Sequence, residues 1–139
     1  MLSNRPFHHE LAGRRVLVVE DEYLIALDIG EALESAGAQV VGPAGTITNA
    51  ATLVRENGFD IAVIDVALLD GDAYPVVDAL QAADIPLVFL TGYERSSLRR
   101  EYRTLPHLTK PFLHTEFIKA LAELMGGRPG NEFVAAPSR

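Results

Sequence analysis

The chain contains no cysteine. That excludes a disulfide framework, a thiolate metal site and a cysteine nucleophile. Long apolar runs are missing too: stretches such as Ile85 to Leu90 fall far below the ~20 residues of a spanning helix. The N-terminus lacks the apolar core of a secretory signal, because Asn4, Arg5, His8, His9 and Glu10 interrupt it. Positive charge is scarce. A formal net charge of −7 argues against an electrostatic grip on nucleic acid or on anionic membrane. There is no Gly-rich phosphate loop, no aromatic ladder for stacking bases, no methionine stripe and no internal repeat. These absences leave a cytoplasmic protein with no nucleic-acid or membrane partner as the default expectation.

What is present suits one ordinary core. With 48% apolar and 22% charged residues, the 139-residue chain reads as globular rather than disordered. It is too short for two comfortable domains. Residues 1–13 show no sustained periodicity and are expected to be a flexible N-terminal segment. Residues 14–126 form the expected domain. The cluster Gly126-Gly127-Arg128-Pro129-Gly130 opens a flexible tail over 127–139, too short for an output domain.

Between those ends, apolar runs alternate with helical patterns. Val16 to Val19 is a continuous apolar run, as expected of a parallel strand covered on both faces. Ile25, Ile29, Ala32, Leu33 and Ala36 follow helical spacing, with Gly37 placed to end the helix. Gln39 to Val41 predicts a second strand, closed by Gly42-Pro43. Thr46 can cap a helix carrying Ala50, Leu53 and Val54, which stops at Asn57-Gly58.

Ile61 to Ile64 predicts a third strand with Asp65 at its end. Asp72 can cap a third helix, with Pro75 tolerated in its first turn. Leu87 to Leu90 predicts the fourth strand, and a helix is expected over roughly Arg95 to Tyr102. His107 to Thr109 is the fifth strand. Phe117, Ile118, Leu121, Leu124 and Met125 stripe the last helix. Five strands alternating with five helices predict an α/β domain with a parallel sheet and right-handed crossovers.

In open sheets of this kind, ligands bind outside the carboxyl ends of the strands. Those ends carry Glu20-Asp21, Asp65, Thr91 and Lys110. Each has an ordinary reading: an acid pair favoured at a helix start, a loop acid, a turn hydroxyl, a surface lysine. Together they make a chemistry. Gathered carboxylates repel unless a cation sits among them, and hard oxygen ligands suit Mg²⁺ (or Mn²⁺). With an unperturbed pKa of ~3.9, Asp65 is ionised at neutral pH and can attack phosphorus. The ion and the Lys110 ammonium would neutralise charge on the transferred oxygens, which is most of what phosphoryl transfer asks of a protein. The Thr91 hydroxyl can then hydrogen-bond the attached group.

The segments Val18-Val19-Glu20-Asp21-Glu22, Val63-Ile64-Asp65-Val66, Leu90-Thr91-Gly92 and Thr109-Lys110-Pro111-Phe112 resemble the receiver domain of bacterial two-component response regulators, in its stand-alone form. The resemblance runs from about Arg14 to Met125. It implies a flavodoxin-like (βα)5 three-layer sandwich with strand order 2-1-3-4-5. By the same resemblance Asp65 is the phospho-acceptor, Asp21 a direct metal ligand, and Glu20 an acid holding the ion largely through water. The backbone carbonyl of Ala67 takes the remaining ligand position. Thr91 matches the switch hydroxyl, Lys110 the phosphate-pairing lysine, and Lys110-Pro111 is expected to be cis.

The implied phosphate donor is a phosphohistidine on a sensor histidine kinase or phosphotransfer protein. The implied output is phosphorylation-dependent binding of an unknown protein, with the chain a monomer or weak homodimer. A phosphate sink for a kinase is the alternative. Two enzyme-like readings fare worse. Aspartyl-phosphate phosphatases generally carry a second acid two residues after the nucleophile, where this chain has Ala67. A flavin carrier would need a phosphate-cradling loop where Glu20 and Asp21 stand.

Two features depart from the family pattern, and a third resembles a subgroup of it. His107 stands where a switch aromatic is usual, and a neutral, partly buried ring is the plain reading. Tyr93, in the run Phe89-Leu90-Thr91-Gly92-Tyr93, resembles the corresponding residue of a single-domain subgroup and offers another exit for the signal. Ala67 has no side chain to position a hydrolytic water, so slow self-dephosphorylation is expected. Arg95, Arg99, Arg100 and Arg103 form either a solvated helix face or a surface for an acidic partner. His8, His9 and His114 read as incidental.

Overall fold

The computed structural model describes residues 10–92 and 98–126. Tyr93, Arg95, His8 and His9 lie outside the described residues, as does the tail expected from residue 127 onward. The domain is built on a parallel sheet of β1 (Arg15–Val19), β2 (Gln39–Ala44), β3 (Ile61–Asp65), β6 (Leu87–Thr91) and β7 (His107–Thr109), ordered β2-β1-β3-β6-β7. Between β3 and β6 stands a separate two-residue ribbon, β4 (Ala67–Leu68) against β5 (Gly71–Asp72). With that ribbon set aside, the order is the expected 2-1-3-4-5 of the flavodoxin-like fold.

The apolar runs form central strands because both faces of the sheet are covered. Successive side chains alternate between faces, and each face has its own core. Leu17, Val19, Ala62, Ile64 and Phe89 pack toward α2 (Ile47–Glu56) and α3 (Tyr74–Ala82). Val16, Val18, Ile61, Val63 and Leu90 pack toward α1 (Tyr23–Ser35) and α4 (His114–Leu124), against Ile29, Leu33, Phe117 and Leu121. Burying each of the Val, Leu, Ile and Phe side chains contributes about 1.5–3 kcal/mol, which explains why these runs hold their register.

Several helix ends follow local chemistry. Thr46 Oγ1 accepts from the Asn49 amide at 3.1 Å and caps α2 as expected. Asp70 Oδ1 adds a second bond, accepting from the Ile47 amide at 2.7 Å. Gly37 follows α1 in the left-handed region (φ +90°). Glu116 reaches back to accept from the Leu113 amide at 3.2 Å, closing the start of α4. Asp72 does not cap α3. It is committed to the ribbon opposite Ala67, and Ala73 is the residue before the helix.

The expected helix over Arg95 to Tyr102 is also corrected. Among the described residues there, only Arg100–Tyr102 is helical, as a single 3₁₀ turn, and Arg99 is extended. At the other end, residues 11–13 are not loose. Leu11 is buried and its amide donates to the Ala36 carbonyl at 3.0 Å.

Candidate functional site

Backbone geometry delivers each strand-end residue to one edge. β2 is longer than its sequence pattern suggested, because Gly42 and Pro43 continue it. The β1–β2 register steps from Leu17 opposite Val41 to Val19 opposite Ala44, so Gly42 and Pro43 bulge past Val18. Gly42 sits at φ +99°, and a Cβ there would meet the Val18 carbonyl at 2.9 Å. Only glycine fits. Beyond the bulge, the Glu20 amide donates to the Ala44 carbonyl at 2.9 Å, which fixes the chain leaving β1. On the other side, the Lys110 amide donates to the Thr91 carbonyl at 2.7 Å, so β6 and β7 end together. The Lys110-Pro111 peptide is cis, as is Gly42-Pro43.

The side chains converge on Lys110. Its Nζ donates to Glu20 Oε1 at 2.9 Å and to Asp65 Oδ2 at 3.1 Å. The Glu20 side chain is 1% exposed, that of Asp65 12% and that of Lys110 16%. Asp65 Oδ1 accepts from the Ala67 amide at 3.2 Å, so the ribbon that follows β3 also orients the carboxylate. The second Glu20 oxygen accepts from the Glu22 amide at 3.2 Å. Burial pushes the Glu20 carboxyl up to about 7, against the Lys110 hydrogen bond, with the nearby Asp65 charge adding to the rise. Burial alone would lower the Lys110 pKa. The hydrogen bonds and charges of Glu20 and Asp65 outweigh it, and the net direction is upward.

Glu20, Asp21 and Asp65 each offer a carboxylate oxygen, and the three lie within 4.8 Å of one another. One lysine reaches two of these acids. The donor set is all hard oxygen, and the raised Glu20 carboxyl records first what burying a carboxylate there costs, with the Asp65 charge adding to it. These residues fit a small hard dication of the Mg²⁺ class.

On the far side of Asp65 the surroundings change. A cavity of about 320 Å³ is lined by Asp65, Asp72, Tyr74, Thr91, Leu98 and Arg99, among others. Thr91 is 2% exposed at the end of β6. The Tyr74 and Tyr102 rings stack at 4.4 Å, and the Arg99 guanidinium lies 4.5 Å from the Tyr74 centroid. Sequence reasoning missed this group, although Arg99 was singled out within the basic cluster. Its described members, Arg99, Arg100 and Arg103, do not share one helix face. Arg99 covers a ring, Arg100 is exposed on the 3₁₀ turn, and the Arg103 side chain donates to the Leu98 carbonyl at 2.8 Å. His107 is half-buried opposite Phe89 on β6. The His114 ring nitrogen lies 2.9 Å from Asp28 Oδ1, an exposed contact between α4 and α1.

No helix among the described residues is long and apolar enough to cross a membrane. The family model of the response regulator receiver domain matches residues 16–122. The transcriptional regulatory protein PdtaR of Mycobacterium tuberculosis is 32% identical over 112 residues, covering 78% of this chain and 55% of that protein. The chain spans about half the length of the curated relatives it matches.

Two solved structures of SdrG are similar in fold and sequence. That of SdrG from Sphingomonas melonis Fr1 superposes with a TM-score of 0.73 at 39% identity, covering 84% of this chain and 98% of that one. The BeF₃-activated conformation of SdrG from Pseudomonas melonis Fr1 gives 0.70 at 41% identity, covering 81% and 98%. The family match runs from β1 into α4 and takes in the whole sheet, and the chain belongs to the response regulator receiver domain family.

Proposed function

We propose that the chain is a phosphorylation-dependent signalling switch of a two-component system, and that Asp65 is its phospho-acceptor. The observation that carries this reading is the strand-end cluster: three acids within metal-sharing distance, with Lys110 bridging Glu20 and Asp65. Glu20, Asp21 and Asp65, with the Ala67 backbone carbonyl, would hold a Mg²⁺ or Mn²⁺ ion, which when bound supplies positive charge to the phosphoryl oxygens.

The chain's own residues do the rest. An Asp65 carboxylate oxygen forms the new bond to phosphorus as the bond from phosphorus to the donor's imidazole nitrogen breaks. The electron pair leaves with that nitrogen. Lys110, already 3.1 Å from the carboxylate, stays within reach of the transferred oxygens and balances their charge. Thr91, at the end of β6, supplies a hydroxyl on the side where the new group emerges.

A protein donor is supported by the surface beside the acids. Tyr23 and Leu24 are 75% and 74% exposed, immediately after the acid loop, and Leu27 continues their face of α1. Leu113, also exposed, precedes His114, which pairs with Asp28 on the same helix. Exposed apolar residues grouped at the rim of a site mark a place for a partner. A phosphohistidine on a sensor kinase or phosphotransfer protein is the donor we assign, and a second protein reads the phosphorylated form.

The test is incubation with acetyl phosphate and Mg²⁺, followed by intact mass. One phosphoryl adduct is expected on the wild type, none on Asp65→Asn, and none on the wild type in excess chelator. An adduct that persists in Asp65→Asn would overturn the assignment.

A further inference from the structure

Lys110 serves one side of Asp65, but the cavity on its other side has a cation of its own. Among the described residues lining it, Arg99 is the one positively charged side chain, and it shares the space with Asp65, Asp72 and Thr91. Its position is built rather than casual. The guanidinium lies over the Tyr74 ring, and the Arg99 amide donates to Tyr74 Oη at 3.1 Å. Beneath, Tyr74 stacks on Tyr102 with the planes 22° apart, and the Tyr102 hydroxyl donates to Asp78 Oδ1 at 2.7 Å. Both tyrosines are buried, whereas Arg99 itself is exposed. An exposed cation is therefore parked on a buried aromatic platform beside an acidic cavity.

The plain reading is a surface cation–π contact, which is weak where the cation stays wet. Arginine is also the side chain best matched to a phosphoryl group: planar, always charged, weakly hydrated and able to present two donors at once. A phosphoryl group on Asp65 adds negative charge and three acceptor oxygens next to the cavity. Charge-assisted hydrogen bonds to those oxygens outweigh an exposed cation–π contact.

We propose that Arg99 is a phosphoryl-binding residue: when Asp65 carries the group, the guanidinium leaves the Tyr74 ring and pairs with the phosphoryl oxygens in the cavity. This rests on Asp65 being the acceptor. The consequence is a signal path that needs no aromatic at position 107. Uncovering Tyr74 loosens the contact between the start of α3 and the Leu98–Tyr102 segment, which is where the phosphorylated form would present a changed surface.

Beryllium trifluoride with Mg²⁺ is the probe, as an unreactive stand-in for the phosphoryl group. The chain has four tyrosines and no tryptophan, so with Tyr23→Phe and Tyr93→Phe introduced into every protein compared, tyrosine fluorescence reports on Tyr74 and Tyr102 alone. The wild type is expected to give a saturable fluorescence change. Arg99→Gln is expected to need about tenfold more probe and to lose most of the change. Arg99→Lys, which keeps the charge without the fork, is expected to fall between. Thermal midpoints without probe serve to exclude a folding defect. Arg99→Gln binding as tightly as the wild type, with the same fluorescence change, would overturn the role of Arg99 and leave Asp65 as acceptor. No saturable response in the wild type, with no adduct from acetyl phosphate, would overturn both.

Discussion

On one side Asp65 meets charge: Lys110, from the end of β7, at 3.1 Å, Glu20 sharing that lysine, and Asp21 completing the acid set. On the other it meets space, with Thr91 and Arg99 across a cavity of about 320 Å³ and two stacked tyrosines behind. The first side is anchored to strand ends by backbone hydrogen bonds to Ala44 and Thr91. The second is anchored to a ribbon of two-residue strands and one 3₁₀ turn. The difference suits the proposed division of labour, in which the rigid side would perform the transfer and the cavity side would register it.

Removing Lys110 should have the largest effect on the rigid side. For Lys110→Ala, the rate of adduct formation from acetyl phosphate is expected to fall roughly 10²–10³-fold, the scale of losing one preorganised donor to developing negative charge. Time-resolved intact mass measures it, and a loss under threefold would move the charge-balancing role elsewhere.

Glu20 gives the next effect, read as stability. Its carboxyl titrates at about 7 in the fold against an ordinary 4.5, so the fold favours the protonated form. That contribution is complete below pH 4.5 and is lost as pH rises through about 7. Metal-free protein should lose on the order of 2–3 kcal/mol across this window through Glu20. The raised Lys110 pKa places that residue's own loss above pH 10.5, outside the window. Urea denaturation at several pH values, compared with Glu20→Gln, isolates the contribution. Identical pH profiles would contradict it.

Tyr102→Phe is expected to have the smallest effect and to sharpen the contrast. It removes the 2.7 Å bond to Asp78, which holds the hydroxyl's pKa up to about 12. A loss of about 1 kcal/mol in stability is expected, with the adduct-formation rate unchanged. A slowed transfer would mean that the two sides are not separable.

The rigid side was legible in the sequence because its logic is linear. Each apolar run ends in a single chemically distinct residue, and parallel strands put all such ends on one edge. Asp65, Thr91, Lys110 and the Glu20-Asp21 pair could therefore be read before any coordinates. Beyond Thr91 the other side was not legible, because its remaining parts have no periodicity. The ribbon is only two pairs long, and it claims Asp72, whose sequence neighbourhood otherwise reads as a helix start. Arg99 looked like one of four arginines on a helix, while a 3₁₀ turn replaces the helix from Arg100 and leaves Arg99 extended. Tyr74 and Tyr102 meet only through tertiary packing. Leu11 was missed for the same reason, since one apolar residue in a polar stretch gives no pattern to read.

The most direct test of the account is to find the atom that carries the phosphoryl group. Protein treated with acetyl phosphate and Mg²⁺ is reduced with borohydride, which converts an aspartyl phosphate to homoserine, and the digest is sequenced by mass spectrometry. The account predicts homoserine at position 65 and intact aspartate at positions 21, 70 and 72. Homoserine at any of those three, with Asp65 unchanged, would contradict it.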